Sequence, residues 1–142
     1  MPRRVFLDAC LVLRAWKGEL ELAKPAMAVI DDDENEIVSS EYLRLELLPK
    51  PTAYKNDAEL GFLAAVFDGA LEVQSTDAVR SHAMELACRH GLGALDALLI
   101  ASAIAGGAEE FVTAEKRDKP MFKVTEIRIR SIHADEAEQQ PT

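Results

Sequence analysis

The sequence predicts an α/β fold built on a largely parallel sheet. Short apolar, strand-like runs recur along the chain, and each is followed by a segment with helical spacing of apolar residues. The 142 residues, 49% apolar and 29% charged, suit one packed domain and are too few for two ordinary ones. Strand and helix in alternation make a sheet covered by helices the economical solution.

The elements follow in order. "VFL" at 5–7 is the first strand, and "CLVLRAW" places Leu11, Leu13 and Trp16 at helical spacings. After Gly18, "ELELAKPAMAVID" is helical, with Pro25 marking either a break or the first turn of a second helix. The acidic run "DDDENE" at 31–36 stops it. "IVSS" at 37–40 is a second strand whose serines cap the helix "EYLRLELL", which Pro49 and Pro51 end.

"NDAELGFLAAVFDGA" is an amphipathic helix and "LEVQS" a third strand. "DAVRSHAMELACRHG" is a helix with Asp77 near its start and Gly91 just past its end. "ALDALLIASAIAGG" is apolar on most sides, as a buried helix is. "EEFVT" is the fourth strand, and "TEIRIRSI" alternates as an edge strand would. One domain is expected over residues 1–130, with 131–142 a polar, flexible tail.

"MPRRVFLDAC" lacks the apolar core and cleavage site of a signal peptide, and no apolar run approaches the roughly 20 residues that span a bilayer. A cytoplasmic protein without a membrane partner is expected. Cys10 and Cys88 give no disulfide framework and read as small buried hydrophobes. A net charge of −9 argues against holding nucleic acid by bulk positive potential, but not against reaching phosphates through metal ions.

Ligand sites in open parallel sheets form outside the carboxyl ends of the strands. Asp8 ends the first strand, and Glu115 and Asp118 follow the fourth. Glu46 lies in the helix after strand two, and Asp96 lies early in the apolar helix, where a lone charge is costly to bury. Each has a plainer role open to it: Asp8 as a helix cap, Asp96 as a first-turn acid favoured by the helix dipole. Glu41 and Glu46, five residues apart, point about 140° away from each other, so both cannot face one site. Glu41 beside the serines is the natural capping acid, which leaves Glu46 as the ligand candidate.

Carboxylates without histidine or thiolate partners suit hard cations such as Mg²⁺ or Mn²⁺. His82, His90 and His133 fit no zinc spacing and read as surface or packed residues. Two hard cations roughly 4 Å apart can hold the attacking and leaving oxygens of a phosphodiester.

"VFLDACLVLRAW", "SSEYLRLELL", "LDALLIASAIAGG" and "FVTAEKRD" resemble the four acidic segments of PIN-domain nucleases, in order and over nearly the whole chain to about residue 130. Within that family the chain is most similar to VapC-type toxins, Mg²⁺-dependent ribonucleases held inactive by an antitoxin. The resemblance implies a three-layer sandwich with a mostly parallel sheet of four to five strands. It assigns metal ligation to Asp8, Glu46 and Asp96, with Glu115 and Asp118 sharing the fourth place. Thr113 resembles the strand-end threonine that hydrogen-bonds within the site. RNA as substrate, an antitoxin partner and a homodimer are implied as well.

Two departures stand against this. Ala9 and Cys10 replace polar residues common after the first aspartate, and "KPM" separates Asp118 from Phe122. They motivate a rival reading, a PIN-like binding module that has lost catalysis. Arg14, Lys116, Arg117 and Lys119 could meet phosphates or be solvated charges, and Arg128 and Arg130 share that ambiguity. "DDDENE" fails as a calcium loop because Glu36 replaces its glycine, and "GLGALD" lacks the third glycine of a dinucleotide fingerprint. A phosphoacceptor domain using Asp8 lacks the acidic pair and the lysine it would need.

Overall fold

The computed structural model describes residues 2–18 and 20–133, with Leu20 by its main chain alone. Among them β1 (Arg3–Leu7), β2 (Asn35–Ser40), β3 (Leu71–Val73), β4 (Glu110–Thr113) and β5 (Arg128–Ser131) form one parallel sheet in the order β3-β2-β1-β4-β5. Seven helices flank it: α1 (Ala9–Lys17), α2 (Leu20–Asp31), α3 (Glu41–Leu47), α4 (Pro49–Ala53), α5 (Asp57–Phe67), α6 (Asp77–His90) and α7 (Ala94–Ala105). A 3-10 turn at Pro120–Lys123 precedes β5. This is the expected α/β sandwich, with β5 on the edge as its alternation predicts. No helix among the described residues is long and apolar enough to cross a membrane.

Register shows why both faces of the sheet are covered. Phe6 pairs with Val38 and with Phe111, so these three share a face, and Val5, Leu7 and Val112 point the other way. All six are fully buried. Strands apolar on both faces are the signature of a parallel sheet between helical layers. The Phe6 and Phe111 rings stack 5.4 Å apart across β1 and β4. Gly106, just past α7, lies so close to the sheet that a Cβ there would meet Val38 at 2.6 Å and Val73 at 2.8 Å. Only glycine lets the helix end descend onto β2 and β3.

The structure corrects several boundaries. Pro25 neither breaks nor starts a helix, because α2 runs through it from Leu20 to Asp31. The ring forfeits one N–H bond, while Ala26 and Val29 keep the surrounding turns buried against the core. Pro49 ends α3 but opens α4 as its first residue, where a fixed φ is favourable and no donor is lost, and Pro51 lies inside α4. β2 begins at Asn35 and takes in the end of the acidic run. The boundary expected at residue 130 falls inside β5, and residues 134–142 of the expected tail lie outside the described residues.

Candidate functional site

Two strand successions leave the centre of the sheet in opposite directions, β1 to β2 to β3 on one side and β4 to β5 on the other. The crevice at this switch point lies between the carboxyl ends of β1 and β4. Asp8 follows β1, and Thr113 ends β4.

Asp8 caps α1 with an extended backbone, its Oδ1 accepting the Ala9 N–H at 2.9 Å, so the cap expected from sequence is real. It does more than cap. Its Oδ2 accepts the Thr113 hydroxyl at 2.7 Å and the Cys10 thiol at 3.4 Å, and the residue is only 5% exposed. Burial raises its pKa, the Thr113, Cys10 and Ala9 hydrogen bonds oppose that, and the charge of Asp96 raises it further.

The other acids arrive on separate helices and a loop. Ser40 starts α3 by accepting the Leu43 N–H at 3.1 Å, which sets the phase that places Glu46 at the site. Glu46 stands exposed at its rim, pushed up to about 7 by partial desolvation and by the charges of Asp8 and Asp96. Glu41 turns elsewhere, its Oε2 accepting the Ser75 N–H at 2.7 Å. Asp96, half-buried in the first turn of α7, is raised by desolvation and by Glu115, and lowered by Lys119. Glu115 is half-buried just beyond β4, whereas Asp118 is exposed in the following turn.

Asp8, Glu46 and Asp96 therefore sense one another, and Glu115 and Lys119 reach the group through Asp96. An all-oxygen donor set of this kind fits a hard divalent cation. Among the described residues, however, no three acidic, thiol or imidazole side chains are arranged to hold an ion. The acids are assembled but not closed around a common point. A cleft of about 490 Å³ lies instead at the amino end of the sheet, where Arg3, Arg128 and Arg130 surround Glu110. The Glu110 carboxylate there is already paired with arginines and is no candidate to hold a cation.

Of the proposed substrate contacts, Arg14 is exposed in the last turn of α1, roughly 9 Å along the axis from Asp8. Lys116 is exposed beside Glu115, and Arg117 donates to the His133 carbonyl at 2.9 Å. Arg128 and Arg130 serve Glu110 at the other end.

Three polar contributors escape a reading of sequence alone. Cys10 is not merely a small hydrophobe: its Sγ lies 3.4 Å from Asp8 Oδ2 and 3.3 Å from Thr113 Oγ1, and accepts the Ala114 N–H at 3.4 Å. Burial and Asp8 push its thiol up to about 12, so it remains a protonated donor. Ser131 and His133 bind the loop that carries Glu115. Apart from Asp8, the partners of Cys10 are more than a hundred residues away, and those of the others on the loop 16 to 19 away, with no local pattern to announce them.

The fold and site define a parallel α/β domain with an acid cluster at its switch point. The chain belongs to the PIN domain family, which matches residues 5–125. PIN domain nucleases are hydrolases acting on nucleic acids and generally use divalent metal ions. Among solved structures, the chain is similar to one in VapBC2 from Rickettsia felis bound to a promoter DNA fragment, with a TM-score of 0.68 and 16% identity over 90% of this chain and 98% of that one. A chain of a toxin-antitoxin complex from Klebsiella pneumoniae superposes with a TM-score of 0.69 and 13% identity, covering 91% and 98%. A chain of DNA-bound VapBC from Salmonella typhimurium gives 0.65 and 16%, covering 94% and 100%. No curated protein sequence matches this chain.

Proposed function

We propose that this protein is a Mg²⁺- or Mn²⁺-dependent endoribonuclease, the VapC-type toxin of a toxin-antitoxin pair. The observation that carries the reading is the convergence of Asp8, Glu46, Asp96 and Glu115 from four segments onto one end of the sheet, where burial first and like charges second raise the pKa of three of them. Such a cluster is electrostatically unfavourable by itself and becomes favourable around a divalent ion. When bound, the ion would supply Lewis-acid polarisation of a phosphodiester and a more acidic attacking water.

The chain's own residues have definable parts in that chemistry. Asp8, Asp96, Glu46 and Glu115 would hold the ion, with Asp118 the weaker candidate for the fourth place. Thr113 fixes the Asp8 rotamer by its 2.7 Å hydrogen bond. Lys119, near Asp96, is better placed than Arg117 to meet a substrate phosphate, joined by Lys116 and by Arg14 at the rim.

The similar solved structures are toxin-antitoxin complexes, which supports an antitoxin partner here. A homodimer is supported by an apolar surface on α6 and α7, where Met84, 67% exposed, lines a cavity of about 250 Å³ together with Ala83, Ala87, Ala97 and Leu98. The rival, a binding module without catalysis, draws on Ala9 and Cys10. It loses force because the Cys10 thiol supplies a polar contact to Asp8.

Calorimetric titration of Mn²⁺ into wild type and Asp96→Asn, with circular dichroism to check folding, tests the reading. Saturable binding that the folded variant loses supports it, and RNA cleavage should then follow the same pattern. No binding by the wild type would sink it in favour of the module.

A further inference from the structure

We infer that Ser131 and His133 are positioning residues that fix the Glu115 carboxylate at the acid cluster by gripping its main chain. The inference rests on the metal-site reading and adds to it two residues that touch none of the clustered carboxylates.

β4 ends at Thr113, and the next two residues form a bend rather than a continuation of the ladder. Buried main-chain groups need partners, and here every partner is a side chain. The Ala114 N–H is taken by Cys10 Sγ at 3.4 Å, and the Ala114 carbonyl accepts from His133 Nε2 at 2.7 Å. The Glu115 N–H is taken by Thr113 Oγ1 at 3.1 Å, and the Glu115 carbonyl accepts from Ser131 Oγ at 2.7 Å. A carbonyl can only accept, so the His133 ring carries its proton on Nε2.

This cradle is built in register. Thr113 and Ser131 are paired across β4 and β5, so their hydroxyls reach the two sides of one peptide segment. Ser131 Oγ also accepts the His133 N–H at 3.1 Å, and the Thr113 carbonyl accepts the Ile132 N–H at 2.9 Å, which ties the end of β5 to the turn. Arg117 closes the loop back onto the His133 carbonyl at 2.9 Å.

The four side chains divide into two kinds. Cys10 and Thr113 also contact Asp8, so changing them disturbs two acids at once. Ser131 and His133 act at this site through the Ala114–Glu115 main chain. A long carboxylate side chain can serve a metal reproducibly only if its backbone is fixed, and outer partners of that sort typically carry about 10- to 100-fold in metal affinity.

The test is Mn²⁺ calorimetry on wild type, Ser131→Ala, Ser131→Thr, His133→Phe, Glu115→Ala and the Ser131→Ala/Glu115→Ala double variant, with amide exchange measured on the metal-free proteins. Ser131→Ala and His133→Phe should each weaken Mn²⁺ about 10-fold or more, Ser131→Thr should restore most of the loss, and Ser131→Ala should add no more than about twofold once Glu115 is already gone. The Glu115 amide should exchange faster in Ser131→Ala without metal. Unchanged Mn²⁺ affinity in both single variants, an equal loss in the Glu115→Ala background, or unaltered exchange would overturn the positioning role while leaving the metal site standing. If the wild type binds no Mn²⁺, the metal reading fails and this role fails with it. Should Ser131→Ala not fold, His133→Phe decides the question on the same readouts.

Discussion

Two carboxylates lie almost fully buried at opposite ends of the same sheet, and they are treated in opposite ways. Glu110, 4% exposed at the amino end, meets Arg130 at 2.9 Å, Arg3 at 3.4 Å and Arg128 at 3.6 Å. Asp8, 5% exposed at the carboxyl end, has hydrogen-bond donors but sits among Asp96 and Glu46, which share its charge. A buried acid kept for structure is neutralised in place. One left beside like charges costs stability, and the divalent cation proposed for this site would offset that cost.

The largest effect expected from this contrast is on activity. Asp8→Asn and Asp96→Asn should each lower metal-dependent RNA hydrolysis by about 100-fold or more, the scale of losing several kcal/mol of charge stabilisation. Asp96→Asn should not lower the melting temperature of the metal-free protein, because it removes a repelled charge, whereas Asp8→Asn gives back part of that gain by losing an acceptor for Ala9 or for Thr113 and Cys10. A clear loss of metal-free stability in both would show that the carboxyl-end acids are structural after all. Glu110→Ala should behave in reverse. Breaking a buried pair costs about 3–5 kcal/mol, but these arginines can turn to water, being 32% to 74% exposed. A loss of about 2 kcal/mol, seen as roughly 6 °C in melting, with Mn²⁺ affinity unchanged, is expected.

The same contrast shows what sequence makes legible. Asp8 is readable because an apolar run stops on it and a helix begins at once, and Asp96 because it interrupts an otherwise apolar helix. Helical phase separates Glu46 from Glu41, and the structure sends them to different places. Glu110 gives no such signal, since its arginines lie at positions 3, 128 and 130 and meet only when β1, β4 and β5 align. Cys10 and His133 are illegible for the same reason. Pro25 misleads in another way, because burial of neighbouring residues outweighs the local preference of a proline to break a helix.

The contrast is sharpened by pH. Glu46, with its folded-state pKa pushed from 4.5 up to about 7, binds a proton more readily in the folded chain than in the unfolded one. Its contribution to stability is therefore present below about 4.5 and is lost as pH rises through 7. Metal-free melting temperature should fall across that window in the wild type and fall less in Glu46→Gln. Mn²⁺ should flatten the same slope, since a cation favours the ionised form. A wild-type profile that rises through the window instead would mean that Glu46 is paired, like Glu110, with a positive group.

The smallest effect decides which acid completes the cluster. Glu115 is half-buried, its main chain is held by Thr113 and Ser131, and its charge reaches Asp96. Asp118 is exposed three residues on, past that cradle, with Lys116, Arg117 and Lys119 beside it in sequence to screen its charge. A side chain free in solvent must lose its rotamer entropy to bind, and a neighbouring lysine competes with the ion for it. Asp118→Ala should therefore change Mn²⁺ affinity by less than about threefold, and Glu115→Ala by about 10-fold or more. Calorimetry on the two variants separates them. The opposite ranking would mean that the turn after β4 refolds around the ion, and that the cradle on Ala114 and Glu115 holds a hinge for Asp118 to swing on.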